Sequence, residues 1–168
     1  MGQSSSYHMT SSMFPVADLD VTKYQGLWYQ IAKYPVLYEP NNTFDTTAEY
    51  TLSENGSILV KNKSYVLYDG SIRELSIQGY ATPLAEGKGI FSVKFNPRDP
   101  RVANYWVMYL ESDYSIAIVS QPSKQSLYIL SRTPQIPYNK FQYILKYLQT
   151  YGFDLKPLIL TPQTISQP

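Results

Sequence analysis

The stretch that decides the fold of this chain is Gly26-Leu27-Trp28-Tyr29-Gln30-Ile31-Ala32-Lys33-Tyr34-Pro35, which reads Gly-x-Trp-Tyr and then continues into a β-strand pattern. A second stretch, Leu127-Tyr128-Ile129-Leu130-Ser131-Arg132-Thr133-Pro134, follows much later in the chain. We predict that Trp28 and Arg132 meet beneath the closed end of a β-barrel. A guanidinium over an indole face contributes about 2 kcal/mol or more once it is desolvated. The residues between the two stretches are predicted to build the wall of a pocket.

Length and composition restrict the class of protein. With 168 residues and a net charge of +1, the chain has the size of one domain and lacks the basic excess of a nucleic-acid-binding surface. No apolar run approaches the ~18 residues of a membrane-spanning helix. The absence of Cys excludes disulfides, Cys-based zinc sites and a thiol nucleophile. The 17 Tyr residues suit half-buried strands, and they also suit a cavity wall that needs an apolar ring with a hydroxyl tip.

The chain divides into a tail and one domain. Residues 1–13 are rich in Ser and Thr and show no periodicity, so they are predicted to be disordered or not native to the protein, and residues 14–168 form a single domain. The tail contains no apolar segment of a signal peptide. Its first residues, Met1-Gly2-Gln3-Ser4-Ser5-Ser6, fit the loose pattern for N-myristoylation at Gly2, and a plain tail is the alternative.

Short strand signals follow at even spacing, separated by turns. Asn55-Gly56 and Asp69-Gly70 predict hairpins, because two-residue turns favour residues that accept positive φ. The longer connection over residues 36–45 is predicted to fold over an open end as a lid. We therefore predict an all-β fold, an eight-stranded antiparallel up-and-down β-barrel, because closure removes exposed sheet edges. The predicted strands are residues 28–33, 46–52, 58–67, 73–82, 89–95, 104–110, 115–120 and 127–131.

After Pro137 the hydrophobic period becomes that of a helix. Gly152 is placed to end this helix, as a C-terminal glycine does. Because only one side is apolar, the helix is predicted to pack on the outside of the barrel, and residues 158–160 are a candidate ninth strand. The apolar stripe consists of Phe141, Ile144, Leu145, Leu148 and Tyr151.

Three blocks, at residues 26–35, 105–119 and 127–134, together resemble the sequence blocks of the lipocalins, in the branch that contains bacterial lipocalins and apolipoprotein D. The first matches at Gly26, Trp28 and Tyr29, the second is degenerate, and the third matches at Arg132. This resemblance implies an interior ligand site, and it places Arg132 outside the pocket floor. The alternative for Arg132 is a receptor for a phosphate or carboxylate. Related chains usually pin their C-terminal segment with disulfides, and this chain, lacking Cys, is predicted to hold it by packing alone.

The register that the resemblance gives sets the inward face of every strand, since side chains alternate between the two faces. Several inward positions carry Ala, which predicts an open cavity rather than a filled core. The sixth strand is ambiguous: a slip by one residue turns Trp106, Met108 and Leu110 inward instead. Gln30 and Ser64 share the inward register. The residues predicted to bind the ligand are Ala32, Tyr34, Ala48, Tyr50, Val60, Asn62, Ile77, Ala81, Phe91, Val93, Phe95, Tyr105, Val107, Tyr109, Ala117, Tyr128 and Leu130.

We predict a carrier that reversibly sequesters a small hydrophobic ligand, a fatty acid or lysophospholipid, without bond chemistry. Asn62, Tyr105 and Tyr128 are candidates to hydrogen-bond a headgroup, as are Lys61 and Arg73 near the rim. The first alternative is a packed barrel that serves as an interaction or membrane-associated structural protein. The second is a lipid-modifying enzyme on the same scaffold, disfavoured because the best-known lipocalin isomerase uses a Cys thiolate.

Cofactors, partners and compartment complete the predictions. The single His, His8, lies in the tail, so no haem ligand, metal or other cofactor is predicted. The expected partner is a small hydrophobic ligand, and no nucleic-acid partner is expected. Peripheral membrane association is an option, and the chain is expected to be a monomer or a weak dimer. The resemblance favours an extracellular, periplasmic or membrane-associated location. The missing signal peptide and Cys leave a cytoplasmic one, with acylation at Gly2, as the alternative.

Overall fold

The chain forms a closed antiparallel barrel, seen in a computed structural model that describes residues 13–37, 39–85 and 88–165. The predictions for the N-terminal tail, including Gly2 and His8, fall on residues 1–12 and lie outside the described residues; Met13 is buried. The elements are α1 Val21–Tyr24, β1 Gly26–Lys33, β2 Phe44–Leu52, β3 Ile58–Tyr68, β4 Ser71–Pro83, β5 Ile90–Lys94, β6 Tyr105–Leu110, β7 Ile116–Ser120, β8 Tyr128–Ser131, α2 Tyr138–Thr150 and β9 Ile159–Leu160.

Strand pairing confirms the predicted barrel and its meander order. Each of β2 to β7 pairs with the next strand along the chain, and β1 pairs with both β8 and β2, which closes the sheet. The predicted turn at Asp69-Gly70 joins β3 and β4 with φ values of 51° and 79°, the two positive angles of a two-residue hairpin loop. The candidate ninth strand also forms, as β9, and pairs with β1.

Two hydrophobic clusters lie on opposite sides of the barrel wall. The inner cluster fills the lower interior and includes Trp28, Val60, Phe91, Val107 and Leu130. The outer cluster lies between the wall and α2. It contains the residues Met13, Ala32, Tyr34, Met108, Ile116, Ile118, Leu127, Ile129, Ile144, Leu148 and Phe153.

Helix α2 packs outside the barrel, as predicted. Ile144 and Leu148 of its apolar stripe are both fully buried in the outer cluster. Gly152, at φ 84°, follows the helix in the left-handed conformation. Its amide donates a hydrogen bond to the Gln149 carbonyl, and the Phe153 amide donates one to the Leu148 carbonyl, both at 3.0 Å. These two hydrogen bonds are the pattern of a Schellman motif at a helix C-terminus.

The C-terminal segment is held by hydrogen bonds, which corrects the expectation that packing alone retains it. The Thr161 amide donates to the Ile31 carbonyl at 2.9 Å, and the Asp45 amide donates to the Pro162 carbonyl at 2.8 Å. The Gln163 side chain donates to a backbone carbonyl on each of β1 and β2, at 2.9 Å. The segment therefore bridges β1 and β2 where their own pairing has ended.

The closed end is built on Trp28 and Arg132, as predicted. The Arg132 guanidinium carbon lies 3.9 Å from the centre of the Trp28 ring, and Trp28 is fully buried. The same guanidinium satisfies carbonyls at the end of α1, which a helix terminus leaves without partners. It donates to the carbonyls of Leu27 at 2.9 Å, Lys23 at 2.8 Å, Tyr24 at 3.0 Å, Gln25 at 3.0 Å and Tyr114 at 3.3 Å.

Candidate functional site

A cavity of about 800 Å³ occupies the half of the barrel opposite the Trp28–Arg132 pair. It is bordered by the loop after β1, the segment between β5 and β6, and the loop between β7 and β8, so it opens to solvent at that end. Its lining combines apolar and aromatic side chains with a few polar ones, which is the usual composition of a small-molecule site.

Three tyrosines form the floor of the cavity. The Tyr24 and Tyr105 hydroxyl oxygens lie 2.6 Å apart, and the Tyr105 hydroxyl donates to the Tyr50 hydroxyl at 2.9 Å. The rings of Tyr24 and Tyr50 stack with centres 5.6 Å apart, and Tyr105 meets Phe91 edge-on. Burial raises the pKa of Tyr50 to about 12 and raises the pKa of Tyr24 and of Tyr105 well above the ordinary value. The floor is therefore neutral across physiological pH.

Most of the residues predicted to bind the ligand lie inside the barrel, at two levels. Those that line the cavity are Ala48, Tyr50, Val60, Asn62, Ile77, Val93, Phe95, Tyr105, Tyr128 and Leu130. Four others, Ala81, Phe91, Val107 and Ala117, belong to the inner cluster and pack below the tyrosine floor. At this lower level the remaining space between Tyr24, Ile58 and Ala81 is about 10 Å³, which is too small for a ligand.

Ala32 and Tyr34 were predicted to face inward, and the structure places both in the outer cluster. The strand pairing of β1 with β8 shifts between Gln30 and Ala32, which marks a β-bulge. A bulge adds one residue to one strand, and the faces of all later residues are exchanged. Ala32 therefore faces outward, and the Tyr34 hydroxyl donates to the Asp154 carbonyl at 2.5 Å.

Tyr109 is corrected for the same reason. The pairing of β6 with β7 shifts between Val107 and Tyr109, so Tyr109 leaves the interior and contacts Tyr147 of α2, with ring centres 5.0 Å apart. The alternative register for this strand is correct only for Leu110, which contacts the inner cluster. The other two residues of that alternative, Trp106 and Met108, lie in or against the outer cluster.

The bulge in β1 also creates a polar feature that the alternation rule missed. Lys33 pairs with Tyr128, a cavity residue, and its side chain is 1% exposed. Its ammonium lies 2.8 Å from a carboxylate oxygen of Glu39, which lines the cavity. Thr43 donates to the other oxygen of Glu39 at 3.2 Å. A buried charge requires a partner, so this pair ties the loop after β1 to the cavity wall.

Part of the predicted lid over residues 36–45 reaches the cavity, through Val36 and Glu39. Tyr38 lies outside the described residues. Of the predicted headgroup contacts, Tyr105 is engaged in the floor, and Arg73 stacks over the Tyr68 ring at 4.3 Å. The Asn62 side-chain oxygen is buried in the cavity wall without a hydrogen-bond partner among the described residues, so it remains available to a ligand donor.

The described ranges contain neither of two further features, a cluster of metal-binding side chains and a membrane-spanning helix. Residues 13–37, 39–85 and 88–165 contain no group of three or more His, Cys, Asp or Glu side chains arranged to hold a metal ion. Within these same ranges, no helix has the length and apolar character needed to cross a membrane.

Comparisons with known proteins agree with this geometry. The family model described as a lipocalin-like domain matches residues 19–163. The chain is 34% identical to temperature-induced lipocalin-1 of Arabidopsis thaliana, over 91% of this chain and 84% of that protein. It is 30% identical to the outer membrane lipoprotein Blc of Vibrio cholerae, over 92% of this chain and 89% of that protein. The solved structure of insecticyanin from the tobacco hornworm superimposes with a TM-score of 0.65 at 23% identity. The superposition covers 94% of this chain and 86% of insecticyanin.

Proposed function

The chain belongs to the lipocalin family, and from this premise we propose that it binds and carries a fatty acid or lysophospholipid in the barrel cavity. Lipocalins bind small hydrophobic ligands. The observation that supports the choice of an acyl chain is the cavity itself, which is about 800 Å³ and lies between a neutral tyrosine floor and a solvent-facing mouth. An apolar chain suits the lower part, and a polar headgroup suits the mouth.

Burial energetics favour a long acyl chain over a short one. Removing a methylene group from water contributes about 0.8 kcal/mol, so about fifteen methylenes contribute roughly 12 kcal/mol before costs. Association costs about 4–15 kcal/mol in lost freedom and ordering. We therefore expect affinities near the micromolar range for long chains and much weaker binding for short ones.

The mechanism that we propose is reversible sequestration without bond chemistry. The polar groups of the floor bond to one another, since the Tyr105 hydroxyl is engaged with both Tyr24 and Tyr50. The raised pKa values keep these phenols protonated at neutral pH, so none of them is available as a general base. The cavity of about 800 Å³ supports ligand binding over the alternative of a barrel filled by its own side chains.

Native mass spectrometry of the purified protein tests this proposal. We expect an additional mass of a few hundred daltons that is lost on extraction with organic solvent. A delipidated sample should then bind a fluorescent fatty acid, and Tyr128→Ala, which widens the wall, should change its affinity. A delipidated protein that binds neither long-chain fatty acids nor lysophospholipids at concentrations up to their solubility would contradict the carrier function.

A second proposal, peripheral membrane association, is favoured by apolar side chains around the cavity mouth. In the β3–β4 hairpin, Leu67 is 61% exposed and Ile72 is 64% exposed, and Leu37 in the loop after β1 projects fully into solvent. Large apolar residues exposed together often mark contact surfaces. In a sedimentation assay with lipid vesicles, we expect Leu67→Ser/Ile72→Ser to reduce binding. Leu27→Ser, at the closed end, should leave it unchanged, and equal loss in both variants would contradict this proposal.

A further inference from the structure

The barrel wall has a lateral opening beside the upper half of β4. The last pair between β4 and β5 is Tyr80 with Lys94, and residues 71–78 extend beyond it without a partner in β5. All eight of these residues are exposed. The other bank of the opening is the segment of residues 95–104. We call the gap between residues 71–78 and residues 95–104 the side slot.

The slot has a fixed shape, because specific contacts hold both its lower end and the segment of residues 95–104 on its other side. At its lower end the chain passes so closely that a Cβ atom on Gly79 would lie 2.3 Å from the Lys94 carbonyl oxygen. Within residues 95–104, the Asp99 carboxylate accepts hydrogen bonds from the Phe95 amide at 3.2 Å and the Asn96 amide at 3.0 Å. The Asn104 side chain bonds to both backbone groups of Val93. The segment is thus held by its own side chains rather than by pairing with β4.

The cavity extends around the edge of β4 through this slot. In a strand enclosed on both sides, only alternate residues face the interior. Here four consecutive residues, 74 to 77, line the cavity. Leu75 and Ile77 belong to the inner face. Glu74 and Ser76 belong to the outer face, together with Lys63, which pairs with Ser76 and also lines the cavity.

The charges on the outer side of the slot have opposite signs. Glu74 lies diagonally across the β3–β4 pair from Lys63, a relation that places backbone positions about 7–8 Å apart. Lys63 makes no ion pair with any described residue. Within the described part of the chain, Glu74 accepts only a long bond, 3.3 Å, from the Tyr65 hydroxyl. Among the described residues that line the cavity, Glu39, Glu74 and Asp99 carry carboxylates and Lys63 carries a cation. Because the Lys33 ammonium offsets Glu39, the surplus is that of Glu74 and Asp99 over Lys63.

We propose that the side slot is the headgroup exit of the ligand site, and that it selects a zwitterionic amphiphile. The acyl chain lies in the barrel between Leu75, Ile77 and Phe95, and the headgroup passes over the edge of β4. Its phosphate contacts Lys63, and its ammonium group contacts Glu74. A purely anionic headgroup gains the first contact but meets the surplus of carboxylates. This inference rests on the proposed function and specifies its ligand class.

Paired ligands with the same acyl chain test the slot. Lysophosphatidylcholine and the corresponding fatty acid each displace a fluorescent fatty acid from delipidated protein. Because solvent-exposed charge pairs contribute at most about 1 kcal/mol, we expect Lys63→Gln and Glu74→Gln each to weaken lysophosphatidylcholine binding about two- to fivefold, with the fatty acid unchanged within error. The matched controls are Lys61→Gln and Glu49→Gln, a cross-strand pair on the same outer surface that does not line the cavity.

The outcomes separate this inference from the function on which it rests. If the wild-type protein binds the fatty acid but not lysophosphatidylcholine, or if the slot variants affect both ligands equally or neither, the slot proposal is wrong and the carrier function stands. Binding of neither ligand overturns both. A nitroxide on the choline headgroup gives an independent reading: it should broaden the amide signals of Lys63 and Ser76. Broadening at Val36 and Gln121 instead would place the headgroup at the end of the barrel and overturn the exit.

Discussion

Gln30 and Ala32 are two residues apart in one strand, yet Gln30 lines the cavity while Ala32 lies outside the barrel, beneath α2. The β-bulge between them adds a residue to β1 and exchanges the faces that follow. One consequence is that α2 can pack closely against the outer wall of the barrel, since the Ala32 side chain is small. The other is that Lys33 turns toward the cavity, where a strictly alternating strand would have placed it outside.

The ion pair of Lys33 and Glu39 is expected to stabilise the loop after β1. Glu39→Gln leaves the ammonium of Lys33 buried without a charged partner, which we expect to cost about 2–4 kcal/mol in the free energy of unfolding. The double variant Lys33→Met/Glu39→Leu removes both charges and should lose less than Glu39→Gln alone. Urea unfolding of the wild type and the two variants measures this, and a double variant as unstable as Glu39→Gln, or less stable, would contradict the stabilising role of the ion pair.

Filling the cavity from its wall is expected to abolish ligand binding. Asn62 faces the cavity from β3, so Asn62→Phe places a ring in the space of the acyl chain. We expect fatty-acid affinity to fall at least about tenfold, because several methylenes would lose their burial. Lys61→Phe puts the same ring on the outer face of the same strand and serves as the control. Equal affinity of both variants in a fluorescence titration would contradict the assigned register.

Arg132→Ala is expected to destabilise the closed end without changing ligand choice. The change removes the contact with Trp28 and the donor to the Lys23 and Gln25 carbonyls, while the Tyr24 carbonyl keeps the Trp28 indole N–H at 2.8 Å. We expect a loss of about 2–4 kcal/mol, equivalent to a Tm lower by roughly 5–15 °C. Arg132→Lys keeps the charge but not the fork of donors and should lie between. A variant that keeps its Tm but switches headgroup preference would show that Arg132 acts as a ligand receptor.

The tyrosine floor is expected to make the protein sensitive to alkali. Burial raises the folded-state pKa of Tyr50 from 10.0 to about 12, and it also raises the pKa of Tyr24 and of Tyr105 well above 10.0. The folded state therefore keeps protons that the unfolded chain releases above pH 10. The contribution of these groups to the free energy of unfolding is fully present below pH 10. It falls by about 2 kcal/mol or more as the pH rises from 10 toward 12.

Tyr105→Phe tests that origin. The variant should be less stable at neutral pH by about 1–3 kcal/mol, because two buried hydroxyls lose their shared partner. It should also lose less stability than the wild type between pH 10 and pH 12, measured by urea unfolding at each pH. Tyr138→Phe removes an exposed phenol and is the control. An unchanged alkaline slope in Tyr105→Phe would mean that the floor does not cause the sensitivity.

Much of the fold was accessible from local patterns. The Gly-x-Trp-Tyr stretch, the hairpin signal at Asp69-Gly70 and the apolar stripe ending at Gly152 each report a conformation fixed by nearby residues. The pairing of Trp28 with Arg132 was accessible only through resemblance to a family, because no local rule joins residues so far apart. The register failed where a bulge interrupts it, in β1 and in β6. No short sequence signal separates a bulged strand from a regular one.

The sequence by itself determined the order of strands and the outer helix, because turn chemistry, hydrophobic period and glycine conformation act over a few residues. Tertiary structure alone decided which side of the wall Ala32, Lys33 and Tyr109 occupy, where the tyrosine floor divides packed core from open cavity, and that β4 runs past the end of β5. These features depend on how many residues face one another across neighbouring strands. That count is set by the closure of the whole barrel and is not written in any one strand.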